Sequence, residues 1–97
     1  MKRDYRPEWI ELTEILTLID DKDMVEKLLH ALLTQKEREE ISLRWTLVKQ
    51  LYEGRPQRAI AADLGVSLCK ITRGSKELKQ ENSVFPKLFR LLGEKNA

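Results

Sequence analysis

The stretch from Gln57 to Lys79, QRAIAADLGVSLCKITRGSKELK, constrains the chain more than any other. Ile60 and Leu64 precede a glycine, Gly65, and Val66 and Ile71 follow it, with Ala61 inside the first apolar group. Two helices that cross steeply over a tight turn need a small residue where they touch, and Ala61 supplies it. The turn needs a residue that tolerates positive φ, and Gly65 does so without a steric penalty. Ile60, Leu64, Val66 and Ile71 are then the apolar contacts that lock the crossing angle. The pattern predicts a helix-turn-helix over about 57–80, with a first helix from Gln57 to Leu64. Ser67 is the natural N-cap of the second helix, roughly Leu68 to Gln80.

The flanking segments also read as helix. Leu, Glu, Lys, Ala and Arg dominate and strand-like alternation is scarce, so the 97-residue chain is expected to be all-α, a single domain over 1–97. Pro7 suits a first helical turn, and Trp9, Leu12, Leu16 and Ile19 form an apolar stripe at spacings of three and four. Asp20 to Asp23 breaks that pattern and caps a second helix bearing Met24, Val25, Leu28, Leu29, Leu32 and Leu33. Thr34 and Glu37 fit a capping box for a long third helix ending near Glu53, before Gly54. Its apolar residues fall in two rows, Ile41-Trp45-Val48-Tyr52 and Leu43-Leu47-Leu51, too broad for so small a chain to cover. A second copy of the chain is the simplest cover, with about 7–53 and 83–93 as dimerisation helices. Asn82 and Ser83 offer a cap for a last helix containing Phe85, Leu88, Phe89, Leu91 and Leu92.

Charge is unevenly placed along a chain whose net is +2. Residues 1–34 carry five Lys/Arg against eight Asp/Glu. Residues 55–79 carry six, Arg55, Arg58, Lys70, Arg73, Lys76 and Lys79, against only Asp63 and Glu77. Positive charge thus collects on the helix-turn-helix, where the phosphates of double-stranded DNA would be met. No stretch approaches the ~20 apolar residues of a membrane span, and Met1 to Pro7 is charged, not signal-like, so a cytoplasmic protein is expected. The single Cys69 excludes an intramolecular disulfide, and with only His30 beside it there is no zinc-ligand spacing. One His, one Cys and no clustered carboxylates leave no acid–base or nucleophile pair, so no enzyme is expected.

Leu33-Thr34, Glu37-Arg38, Arg44, Gln57-Arg58 and Ile71-Thr72-Arg73-Gly74-Ser75, taken together, resemble the trp repressor family over nearly the whole chain. The resemblance implies an intertwined, all-helical homodimer of six-helix subunits that binds operator DNA when loaded with L-tryptophan. It implies repression of tryptophan biosynthesis or transport genes, with no metal. By the same likeness Arg44 and Arg73 would sandwich the indole ring, which suits guanidinium groups that stack on aromatic faces and keep their charge. Thr34 would help meet the ligand carboxylate, and carbonyls near Ala31 and Leu33 would receive the amino group. Ala31, Leu33, Thr34 and Arg44 would come from one chain and Arg73 and Gly74 from the other, with Gly74 leaving room for the ligand. Lys70 and Glu77 complete the expected ligand set. Gln57, Arg58, Leu68, Cys69, Lys70 and Thr72 are expected to meet DNA, with Arg55, Lys76 and Lys79 confined to phosphates.

The chain departs from the family pattern in four places. It counts one residue fewer between Gly54 and Gly65. Lys70 replaces a small polar residue, Glu77 a serine that faces the ligand amine, and Lys76 an asparagine. Two alternatives stay open: a regulator of the same fold that senses another ligand or none, and a helical module whose basic segment binds an acidic protein. Without the resemblance, Arg44 is an ordinary surface residue, Thr34 a plain N-cap, and Cys69 either a thymine-methyl contact or simply exposed. His30 reads as a surface or subunit-contact residue, and Trp9 and Trp45 as core or dimer residues.

Overall fold

The computed structural model describes residues 3–96; Met1, Lys2 and Ala97 lie outside the described residues. Among the described residues there are six α-helices and no strand: α1 (Arg6–Leu18), α2 (Lys22–Leu32), α3 (Gln35–Tyr52), α4 (Gln57–Leu64), α5 (Leu68–Lys79) and α6 (Phe85–Asn96). The chain divides between Arg38 and Glu39 into two compact units. No described helix is long and apolar enough to cross a membrane.

The first unit holds α1 and α2. Pro7 lies in the first turn of α1, where its missing N–H leaves no intrahelical bond unmade. Asp21 caps α2, its carboxylate accepting from the Asp23 amide at 3.0 Å. Neither helix buries a residue fully. Trp9 is 67% and Leu18 76% exposed, so Trp9 is not a core residue of the single chain. At the end of α2, Arg38 donates from Nη1 to the carbonyl of Leu33 at 2.6 Å and to that of His30 at 3.3 Å. One guanidinium thereby satisfies carbonyls that a helix C-terminus leaves unpaired.

Thr34 and Glu37 make the expected capping box. The Thr34 amide donates to Glu37 Oε1 at 2.8 Å, and the Glu37 amide donates to Thr34 Oγ1 at 3.1 Å. The bonds to Thr34, the backbone one foremost, hold the Glu37 carboxyl below its ordinary pKa of 4.5.

The second unit is built on a small core of Leu47, Val48, Ile60, Ile71 and Phe89, with Leu51, Leu64, Val66 and Leu78 packed around it. Ile60 and Ile71 are fully buried, one from each helix of the helix-turn-helix; burial of such a side chain is worth about 1.5–3 kcal/mol. Gly65 takes φ 65°, and the Val66 amide returns to the Ala61 carbonyl at 3.2 Å. Ser67 then caps α5 by accepting from the Lys70 amide at 3.3 Å. Helix α4 starts at Gln57 as expected. Phe89 of α6 packs against Trp45 (ring centroids 4.8 Å) and Tyr52 (5.1 Å) of α3. Most helix ends fall within a residue or so of expectation, α1 starting at Arg6 and α3 and α5 each ending one residue early, but α6 starts two residues after the expected 83 and runs to Asn96, three residues past the expected 93.

Candidate nucleic-acid interface and ligand cavity

Helix α5 turns about 100° per residue, and its side chains sort into three sectors. Ile71 and Gly74 are buried and Ser75 and Leu78 half-buried, which is the sector packed on the core. Leu68, Cys69, Thr72, Lys76 and Lys79 are exposed and occupy a second sector, about 120° round the helix. Lys70, Arg73, Gly74 and Glu77 lie between them and line a cavity of about 400 Å³. The helix thus has a structural side, a free side and a cavity side.

Gly74 sets the distance between α5 and α3. A methyl group built there would overlap Leu47 Cδ2 and reach 3.6 Å from both Leu51 Cδ1 and Val48 Cγ2. The space expected to be left for a ligand is therefore filled by α3 side chains, and Gly74 borders the cavity while closing the helix contact. From α3 the cavity receives Glu40, Arg44 and Trp45, and from α6 Phe85. Its volume sits at the lower end of small-molecule pockets, roughly 300–1,000 Å³. Leu47, Val48, Trp45 and Phe85 supply an apolar wall, and Glu40, Arg44, Lys70, Arg73 and Glu77 the charges.

Of the expected ligand residues, Arg44, Lys70, Arg73, Gly74 and Glu77 border this cavity. Arg44 and Arg73 do so together in the single chain. The cause is the Gly74 contact, which brings α5 onto α3 of the same polypeptide. Ala31, Leu33 and Thr34 belong to the first unit. There the Leu33 carbonyl already accepts from Arg38, and Thr34 is engaged in the capping box. Glu40, Trp45 and Phe85 were not anticipated. Glu40 could have been found, since it stands four residues before Arg44 and so shares its helix face.

The residues expected at DNA, Gln57, Arg58, Leu68, Cys69, Lys70, Thr72, Lys76 and Lys79, are exposed, as is Arg55. Lys70 differs from the rest in lying on the cavity side. Thr72 Oγ1 donates to the Leu68 carbonyl at 2.9 Å, which leaves its oxygen able to accept. Arg55, expected at phosphate, donates instead to Gln50 Oε1 (2.9 Å) and Asp63 Oδ2 (3.3 Å). It ties the α3–α4 loop to α4. Cys69 is a free, exposed thiol. Among the described residues no group of three or more His, Cys, Asp and Glu is arranged to hold a metal.

No solved structure matches the chain significantly. The family model described as Trp repressor protein matches residues 7–92. A protein of Vibrio parahaemolyticus called "Trp operon repressor homolog" is 36% identical over 95 residues, covering 97% of this chain and 91% of its own. Proteins of the same description from Vibrio campbellii and Photobacterium profundum are 34% and 40% identical, over 93% and 77% of this chain and 91% and 74% of theirs. With a family model spanning helices α1 to α6 and relatives aligned along nearly the whole chain, the protein belongs to the Trp repressor family.

Proposed function

We propose that the protein is a transcriptional repressor that binds operator DNA as a homodimer, with L-tryptophan as its corepressor. What carries this reading is the sectoring of α5. The helix offers an exposed polar and basic side to DNA, and its neighbouring side forms a cavity with guanidinium groups from α3 and α5. Leu68, Cys69 and Thr72 would enter the major groove with Lys76 and Lys79 on phosphates, and Gln57 and Arg58 at the N-terminus of α4 would meet the backbone or base edges. Arg44 and Arg73 suit an aromatic amino acid, since guanidinium stacks on a ring and pairs with a carboxylate. Trp45 and Phe85 give the ring an apolar wall. The relatives' names, which mention a Trp operon, point the same way.

A ligand at this place can act only through its differential affinity for the α5 position that fits DNA. Dimerisation would set two α5 helices against successive half-sites, about 34 Å apart. Operator binding measured with and without L-tryptophan tests the reading. Tighter binding with tryptophan, and a steep loss of affinity as salt rises, is expected. Equal affinity in both arms sinks the corepressor role. A weak salt dependence favours the acidic-protein module instead.

A further inference from the structure

The cavity between α3 and α5 carries charges of both signs, and their placement follows one rule. On α3 Glu40 stands four residues before Arg44; on α5 Arg73 stands four residues before Glu77. Residues so spaced lie on one helix face, their Cβ atoms about 5–6 Å apart, close enough to pair along the helix. They do not pair. The ion pairs Arg3–Glu8 and Arg55–Asp63 lie elsewhere and use none of the cavity's residues. Glu40, Arg44, Lys70, Arg73 and Glu77 therefore all border the cavity without closing an ion pair on one another.

The apolar wall of Trp45, Phe85, Leu47 and Val48 accepts a ring whatever substituents it bears. The charged rim does not. A ligand carrying only a carboxylate satisfies the cations but presents its negative end to a rim that also holds Glu40 and Glu77. One carrying only an ammonium leaves three cations unanswered. A ligand with ammonium and carboxylate on adjoining atoms answers both sets at once.

The geometry points to Glu77, seconded by Glu40, as the determinant that makes this cavity select an aromatic ligand carrying an ammonium beside its carboxylate over the same ring system without the ammonium. The inference rests on the corepressor reading above and adds to it the group that tells the zwitterion from its deaminated acid. Both carboxylates are solvent-exposed, so each contributes modestly. Selectivity of this kind comes from opposing charge as much as from attraction, because the glutamates repel an acid that brings no ammonium.

The test titrates L-tryptophan, indole-3-propionic acid and tryptamine into the full-length protein by calorimetry. Proteins compared are the parent, Glu77→Gln, Glu40→Gln and the double variant. The quantity read is the ratio of the Kd for indole-3-propionic acid to that for tryptophan. The parent is expected to prefer tryptophan. Glu77→Gln should lower the ratio roughly two- to fivefold, as suits an exposed charge pair, and the double variant should lower it further. A general loosening of the fold would weaken both ligands alike and leave the ratio where it was. An unchanged ratio in the double variant, with tryptophan still bound, overturns the inference and spares the corepressor reading. Failure of all three ligands to bind the parent overturns both.

Discussion

Gly74 lets the backbone of α5 approach the side chains of α3, and its replacement separates two opposing effects. Ala in place of Gly inside a helix regains about 1 kcal/mol of propensity, but overpacking a core contact costs about 1–3 kcal/mol. Gly74→Ala should therefore lose up to about 2 kcal/mol. Gly74→Val adds two further methyl groups beside Leu47, Val48 and Leu51 and gains less from propensity, so it should lose more. Denaturant unfolding of the two variants checks the order; a valine variant as stable as the parent would mean that α3 and α5 are not in contact there. The capping box is as local. Glu37 accepts from the Thr34 amide more strongly as a carboxylate than as an acid, and its pKa in the folded chain lies below 4.5. Its contribution is thus present in full above pH 4.5 and fades as the pH falls through the lowered folded-state value. The difference in thermal midpoint between the parent and Glu37→Ala should be largest near neutrality and close on acidification. A gap independent of pH would show that the carboxylate charge plays no part.

At the scale of elements, what could be read from sequence was whatever is decided within a turn or two of chain. Ser67, Gly65, Asp21 and the Thr34–Glu37 pair act on backbone groups two to four residues away, so their identity and spacing reveal their partners. Ser67→Ala should accordingly destabilise the helix-turn-helix by about 0.5–2 kcal/mol, seen as a lower denaturant midpoint, with the loss centred on α5. The apolar core of the second unit was equally legible, because Ile60, Leu64, Val66 and Ile71 answer to one turn geometry. The cavity was only partly so. Arg44, Arg73 and Gly74 were recognised through the family pattern, yet their meeting inside one chain depends on how α5 packs on α3, a matter of side chains more than twenty residues apart. Arg55 shows the same limit. As a charge in a basic segment it reads as a phosphate contact, and only folding brings Gln50 and Asp63 to it.

For the whole molecule, the question is what covers the apolar surface. Trp9, Leu18, Leu32 and Val84 are each more than half exposed in the single chain, and the first unit has no fully buried side chain in either helix. At about 25 cal/mol per Å² of apolar surface, leaving so many large side chains in water is unfavourable for a chain of this length. Sedimentation equilibrium is expected to give twice the chain mass, and the thermal midpoint should rise with protein concentration, as for any fold completed by association. A monomer at micromolar concentration with a concentration-independent midpoint would overturn this. The sectoring of α5 carries a consequence for descent. The free side of the helix and its cavity side share no residue apart from the claim both make on Lys70. Lineages can therefore rewrite positions 68, 69 and 72 to follow a drifting operator while keeping their effector, or rewrite 73 and 77 to change effector while keeping their operator. Lys70 is the position where the two histories would have to be negotiated together, and a survey of natural variants should find its changes accompanied by changes on both sides.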